Sequence, residues 1–261
     1  SYAYAPTAVA ALLAATGTKV SIYLLLRFSF TVLQVDQHLE LLPVMDVLFP
    51  LAVIAMLAGS IVAVYQTNLK RLLAYSSVAQ IGYILLGIAL ASEHGLVGAI
   101  VHVFNHGVMK AALFVIIGAV ALHSGGGSVR NLAGLGKRMP LTMAAFTVAM
   151  LSLIGIPGTV GFISKWYLIL AALEAGTPKG IFAATAIISA TLLAIVYVWR
   201  LVEVAYFTNS TEIQNPIREE ASWPVLLSIL VLAGSCVIFG TATNLTVGLS
   251  RLAAQMLLGA G

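Results

Sequence analysis

The chain has 261 residues, of which 61% are hydrophobic and only 8% are charged, and its mean hydropathy is +1.04. A soluble protein of this size carries many more charges on its surface, so a soluble fold is excluded. The formal net charge of +4 is small and dispersed, which argues against nucleic acid as a partner. The single Cys236 rules out disulfide frameworks and cysteine metal sites. This composition predicts an all-α polytopic membrane protein.

Apolar segments long enough to cross a bilayer recur along the whole chain. The chain begins at Ser1 without a methionine, at the edge of an apolar helix, so we expect it to continue something longer upstream. A short loop with Asp36, His38 and Glu40 follows the first span, and a short amphipathic tail with Arg251 follows the last. About seven spans are predicted, at 7–32, 43–65, 72–91, 96–122, 139–176, 181–207 and 223–241.

The segment 139–176 is too long for one straight crossing, because a helix rises about 1.5 Å per residue. Gly155, Pro157 and Gly158 break its centre, which leaves either two short spans or one crossing made of two half-helices. The distribution of lysine and arginine between loops does not favour the single crossing. We nevertheless expect one interrupted crossing, because broken helices place polar backbone at membrane depth, where ions are handled. A plain proline kink is the alternative.

Three lysines lie in the middle of predicted spans: Lys19, Lys110 and Lys165. A charge at mid-membrane costs at least ~2.5–3.5 kcal/mol, so such residues are candidates for function. Arg27 and Lys179 lie close to span ends, where a long side chain extends to the headgroups. The three central lysines have about ten apolar or small neighbours on either side and fit that explanation poorly.

The fourth span contains the most specific pattern, His102-Val-Phe-Asn-His106-Gly-Val-Met-Lys110. A spacing of four places the two histidines and the lysine on one helical face. Histidine titrates near neutral pH and a desolvated lysine approaches that range, so this stripe is suited to relaying protons. Two histidines four residues apart also occur in metal sites, but no third ligand is evident and Lys110 would repel a cation.

All nine carboxylates fall in loops or near span ends. The charge predicted at mid-membrane is therefore carried by lysines and histidines alone. A proton pathway tuned by opposing charges needs an acid, which we expect a missing segment or a partner to supply. The sequence shows no quinone or flavin signature, so no cofactor is expected in this chain and any redox chemistry would belong to partners.

Four stretches, 5–19, 68–83, 102–114 and 139–167, resemble the C-terminal half of the antiporter-like subunits shared by Mrp sodium/proton antiporters, respiratory complex I and membrane-bound hydrogenases. The resemblance implies a fold of two inverted five-helix repeats, each with an interrupted helix and half a proton channel. By this resemblance, Lys19 bridges the half-channels, Lys110 with His102 and His106 forms the centre of the second, and Lys165 lies near the exit. The first half-channel, with its glutamate, would lie upstream of Ser1.

The resemblance also predicts the organisation of the chain. Residues 1–71 would be bridging helices, 72–207 the second five-helix repeat, and 208–261 a C-terminal helix and tail. Within the family, Ser-Lys-Trp-Tyr after the break and Gly-Lys-Arg-Met-Pro-Leu-Thr before it most resemble the Mrp D subunit. The expected partners are the upstream half, other subunits of a membrane complex, and lipid, in the inner membrane of the cell.

Three functions are compatible with the sequence. The first is a proton-translocating subunit of an Mrp-type cation/proton antiporter. The second is a proton-pumping subunit of complex I or of a membrane-bound hydrogenase, in which case the chain would belong to an NADH:quinone oxidoreductase without holding a cofactor. The third, of another class, is a structural scaffold whose lysines form static ion pairs with a neighbour.

Overall fold

A computed structural model of the chain describes residues 7–33, 44–208 and 220–259. The predicted loop with Asp36, His38 and Glu40 lies outside the described residues. Within them the chain is helical and forms no strand, only one isolated β-bridge between Asn68 and Ser128. The prediction of an all-α polytopic protein is confirmed.

Nine principal helices follow one another along the described residues. The first, α1, consists of consecutive α- and π-helical stretches, Thr7–Leu12, Leu13–Gly17, Thr18–Leu26 and Arg27–Val32. The others are α2 Val44–Tyr65, α3 Leu69–Ala89, α4 Glu93–Ser124, α5 Pro140–Ile154, α6 Val160–Glu174, α7 Pro178–Phe207, α8 Trp223–Thr241 and α9 Asn244–Leu257. Two short helical turns, Val129–Leu132 and Leu135–Arg138, lie between α4 and α5.

Six of these helices (α1–α4, α7 and α8) are long and apolar enough to cross a membrane. The helices α5 and α6 have 15 residues each and are separated by residues 155–159. Alone, each would rise about 22 Å, which is short of the ~30 Å hydrocarbon core. The two together have the length of one crossing.

Contacts between helix ends show that α5 and α6 do form one crossing. At the start of α5, the amides of Leu141 and Thr142 donate to the carboxylate of Glu220, three residues before α8. At the end of α6, Glu174 lies 2.7 Å from His94, in the first turn of α4. The first turn of α4 thus lies beside the end of α6, whereas the last residue of α4, Ser124, leads through residues 125–139 into the start of α5. Because α4 is one helix of 32 residues, its two ends lie on opposite sides of the bundle, and the α5–α6 pair runs from one side to the other.

These contacts define two faces of the bundle. The Glu93 face contains the helix ends with Asp46, Glu93, Glu174 and Lys179; it also holds the ion pair between Lys179 and Asp46 at 2.7 Å. The Lys137 face contains the helix ends with Lys70, Lys137 and Glu220. Five loop or helix-end cations of the described residues lie at the Lys137 face: Lys70, Arg71, Arg130, Lys137 and Arg138.

Several helices begin earlier than predicted, because polar residues that read as loop cap their first turns. The side chain of Asn68 accepts the amide of Arg71 at 3.1 Å, which starts α3 three residues before the predicted Leu72. Ser92 accepts the amide of Gly95 at 3.1 Å and starts α4 in the same way. Such caps satisfy amides that have no partner inside the helix.

The helix α4 lies at the centre and contacts α1, α3, α5, α6, α8 and α9. The helices α2 and α3 have the most extensive contact of any pair in the described residues. A Cβ atom on Gly59 would lie 2.7 Å from the nitrogen of Ala79, and one on Gly82 would lie 2.7 Å from the nitrogen of Met56. The contact is therefore made between backbones, as is usual where small residues line membrane helices.

The single crossing predicts that residues before α5 and after α6 lie on opposite sides of the membrane. Lys137 and Lys179 are both exposed. By the positive-inside rule the Lys137 face is cytoplasmic. We expect Lys179→Cys to react with a membrane-impermeant maleimide in right-side-out vesicles, and Lys137→Cys to react only after permeabilisation. The unsubstituted protein is the control, since Cys236 is buried. Labelling of both positions from one side would contradict the single crossing.

Candidate functional site

The central feature is a row of buried ionisable side chains on one face of α4. His102, His106 and Lys110 are each 0% exposed. The two imidazole rings are nearly parallel, with centroids 6.3 Å apart and an interplanar angle of 13°. Below, the α4 row means these three residues. The geometry follows from their spacing of four, which places successive side chains one turn apart on the same face.

Lys110 is held by the neighbouring helix α3. Its Nζ atom donates to the carbonyl oxygen of Leu73 at 2.8 Å and to the hydroxyl of Ser76 at 2.5 Å. Both acceptors are neutral, and no aspartate or glutamate is buried among the described residues. The ammonium group is thus bound without a counter-ion in this part of the chain.

The two histidines differ in their surroundings. His102 is fixed on both sides, because its Nδ1 atom lies 2.7 Å from the hydroxyl of Ser164 and its Nε2 atom lies 2.9 Å from the side-chain oxygen of Gln80. His106 has both ring nitrogens buried without a partner among the described residues. Buried nitrogens of this kind ordinarily bind water. His106 is therefore the point of the row best suited to hydration.

Lys165 lies against the break between α5 and α6. Its Nζ atom donates to the carbonyl oxygens of Ile154 at 2.7 Å and Leu153 at 3.2 Å, the last two residues of α5. The carbonyls at a helix end have no partner inside the helix and carry partial negative charge. Gly155, with φ of +90°, turns the chain out of α5 in the left-handed region. The break thus creates a binding site for one ammonium group.

Tyr83 of α3 connects Lys165 to the α4 row. The Nζ atom of Lys165 lies 4.7 Å from the centroid of the Tyr83 ring, which is a cation–π geometry. The same ring lies beside His102, with 5.7 Å between the ring centroids. The hydroxyl of Tyr83 lies 3.1 Å from that of Thr191, which also accepts from Lys165 at 3.4 Å. Tyr83 therefore contacts both neighbouring members of the path.

Lys19 is the least enclosed of the predicted residues. It is half-buried, and its Nζ atom donates to the carbonyl of Ala14, inside a π-helical stretch of α1. The side chain packs beside Gly107 of α4, next to His106. An open cleft between α1 and α4 exposes it on the outer side. The structure brings Lys19 to the α4 row but does not close the space around it.

Sequence reasoning missed five polar residues of the site: Ser164, which directly precedes Lys165, and four others. Ser76, Gln80 and Tyr83 are spaced four and three apart, so they form a polar stripe on α3 that the same periodicity argument detects. Thr191 offers no such signal, because a single threonine is ordinary in a membrane helix. The metal alternative finds no support in the geometry: both nitrogens of His102 are engaged, and the described residues contain no cluster of three ligating side chains.

The fold and the site define a class: polytopic helical membrane proteins in which an interrupted helix lies beside a buried row of lysines and histidines. The chain belongs to the family described as NADH:quinone oxidoreductase/Mrp antiporter, TM, which residues 1–193 match. This family is the one that the sequence resembles.

Known proteins agree with this membership. The chain is 41% identical over 251 residues to NADH-quinone oxidoreductase subunit N of Desulforudis audaxviator, covering 92% of this chain and 49% of that protein. It is 34% identical to F(420)H(2) dehydrogenase subunit N of Methanosarcina mazei, covering 99% and 52%. The structure of the Mrp complex from Dietzia sp. superposes with a TM-score of 0.88 at 27% identity, covering 98% and 54%. The chain thus spans about half the length of the curated relatives it matches.

The α5–α6 junction requires a glycine at position 161, because a methyl group there would disrupt the packing. A Cβ atom on Gly161 would lie 1.9 Å from the carbonyl oxygen of Ser152, a contact that only a backbone shift relieves. We expect Gly161→Ala to lower the amount of assembled subunit in membranes, measured by quantitative immunoblotting of the purified complex. Gly234→Ala is the matched control, because nothing lies within 4 Å of a Cβ there. Equal amounts of both variants would contradict this packing.

Proposed function

We propose that this chain carries the second half-channel of a proton-translocating, antiporter-like subunit in a multi-subunit membrane complex. The observation that carries the proposal is the buried row itself. Lys110 and Lys165 bind only neutral acceptors within the described chain. Between them, His102 contacts a hydroxyl and an amide, and the ring of His106 stacks on that of His102. Such a row holds exchangeable protons at membrane depth.

Neutral acceptors matter because they make proton loss reversible. A lysine paired with a buried carboxylate leaves an unpaired charge behind when it loses its proton, at a cost of several kcal/mol. When Lys110 loses its proton, its two partners stay hydrogen-bonded. The carbonyl of Leu73 still accepts from the neutral amine, and the hydroxyl of Ser76 can donate to it. A change of charge at a neighbouring site then suffices to move the proton along the row.

The burial of Lys110 argues against a static scaffold. A scaffold requires the lysines to reach acids of another subunit. Lys110 is 0% exposed and surrounded by α3 and α4, so no neighbour reaches its ammonium group. By contrast, the ion pairs Asp46–Lys179 and Glu93–Arg251 lie at helix ends, where a structural role is sufficient.

The proposed path follows the contacts described above. It runs from Lys19, beside Gly107, to the α4 row, and from His102 past Tyr83 to Lys165. The roles of bridge, centre and exit come from the family resemblance. The geometry supports them because Lys19 packs beside α4 next to the row, and because Tyr83 contacts both His102 and Lys165.

Among the complexes of this family, we propose a complex I-type respiratory complex over the Mrp-type antiporter that the sequence motifs suggested. The support is the 41% identity to an NADH-quinone oxidoreductase subunit N, against 27% to the Mrp structure. The location that follows is the inner membrane of a bacterial cell. A complex of this type pumps protons when its electron donor is added, whereas a sodium/proton antiporter moves protons only in exchange for sodium.

Lys110→Ala tests the proposal directly. We expect it to abolish donor-driven proton uptake, measured by quenching of a pH-sensitive dye in inverted vesicles, while the complex still assembles. The alanine cannot hold a proton at the position of Lys110 in the α4 row. Lys179→Ala, which removes an exposed cation, is the matched control and retains uptake. An assembled Lys110→Ala complex that pumps at the control rate would refute the proposal, and loss of assembly would indicate the scaffold.

Two substitutions of Tyr83 test whether its aromatic ring takes part in the proton path. Tyr83→Phe keeps the ring between His102 and Lys165, so we expect it to retain most of the proton uptake. Tyr83→Leu removes the ring, and we expect uptake to fall roughly tenfold, the rate effect of a cation–π contact of about 1.4 kcal/mol. The measurement is the ratio of proton uptake to electron transfer in the same vesicles. Equal ratios for the two variants would show that the ring has no part in the path.

A further inference from the structure

A second site, separate from the α4 row, lies on the outer surface of the bundle. It is a groove of about 260 Å³ between α1, α4 and α9. Its walls are almost entirely apolar, and one charged side chain belongs to them. The principal lining residues are Ile22, Leu26, Arg27, Val103, Ala253 and Met256.

The groove reaches the membrane surface at the Glu93 face. The helix α9 is held there by Glu93, whose carboxylate lies 3.6 Å from the Nε atom of Arg251 and accepts from the side chain of Gln255 at 3.4 Å. Arg27 lies five residues before the end of α1, about 7 Å of helix rise. At this depth a guanidinium group reaches the level of the lipid headgroups.

Arg27 differs from the other cations at this face because no acid pairs with it among the described residues. Lys179 is paired with Asp46, and Arg251 with Glu93. Arg27 is exposed and forms neither an ion pair nor a side-chain hydrogen bond with any residue in the described ranges. An apolar groove with one unpaired guanidinium at its membrane-surface end is complementary to a molecule with an apolar chain and an anionic head.

We propose that this groove binds an anionic phospholipid, with one acyl chain along α1 and α9 and the phosphate on Arg27. Guanidinium groups bind phosphate through parallel N–H···O bonds, which favours arginine at such sites. Charge complementarity identifies the occupant: the groove combines apolar walls with one exposed cation, Arg27, which matches a molecule that has one apolar chain and one anionic head. This site is independent of the proposed proton path.

Lipid retention by the intact complex tests the site. The delipidated complex is titrated with vesicles of phosphatidylglycerol or phosphatidylcholine and bound lipid is counted by native mass spectrometry. We expect the unsubstituted complex to retain one phosphatidylglycerol per subunit at this site. In Arg27→Gln the affinity for phosphatidylglycerol should fall roughly fivefold, which is the contribution of one arginine at the membrane surface. Ala253→Phe fills the groove without changing the charge and should lower retention as well. Lys179→Gln is the control.

A photo-crosslinker identifies the occupant directly. The exposed Met256 is replaced with benzoyl-phenylalanine in the complex, which is irradiated in its native membrane. An adduct with phospholipid supports the site. An adduct with a protein segment would show that a protein covers the groove and would overturn the proposal. Retention of phosphatidylglycerol by Arg27→Gln at the level of Lys179→Gln would overturn it equally.

Discussion

The ammonium group of Lys165 and the carbonyl end of α5 form the contact on which much of the molecule depends. A helix that stops in the middle of a membrane exposes carbonyl groups that water cannot reach, and each costs several kcal/mol if left unbound. A lysine buried at the same depth has an ammonium group that needs hydrogen-bond acceptors. Each satisfies the other through the bonds to Leu153 and Ile154, so the break and the charge stabilise one another.

The position of that contact also sets the geometry of the α4 row. Because α6 begins at Val160, it presents Ser164 to His102, one residue before Lys165. Asn105 of α4 donates to the carbonyl of Val160 at 2.6 Å, which fixes α4 against the first turn of α6. A break placed one residue earlier or later would rotate Ser164 away from the imidazole by about 100°. The register of α6 is thus specified by polar contacts as well as by packing.

Much of this arrangement could be predicted from the sequence, for reasons that differ between residues. The α4 row follows from a spacing of four, and the break follows from Gly155, Pro157 and Gly158, because both signals are local. The partners of these residues are not local. Ser164 and Thr191 lie 62 and 108 residues from His102 and Tyr83, so only the packing of the helices brings them together.

For Lys19, the sequence predicts the location of the side chain but not how far it is enclosed. Its residue type and depth predicted a place in the path, and the structure puts it beside the α4 row. Its enclosure could not be predicted, since the cleft around it is open in the described chain. The helix starts were misplaced for a simpler reason. Asn68 and Ser92 are polar residues that cap helices, and polarity alone does not distinguish a cap from a loop.

The close approach of α2 and α3 has a mechanical consequence. Backbone contacts at Gly59 and Gly82 hold these helices at a short separation, so we expect them to move together as one stiff slab. That slab carries Ser76, Gln80 and Tyr83, the groups that hold Lys110, His102 and Lys165. In the proposed proton path this slab would act as a stator: its hydrogen-bonding groups would keep fixed positions while protons and lysine side chains move past them.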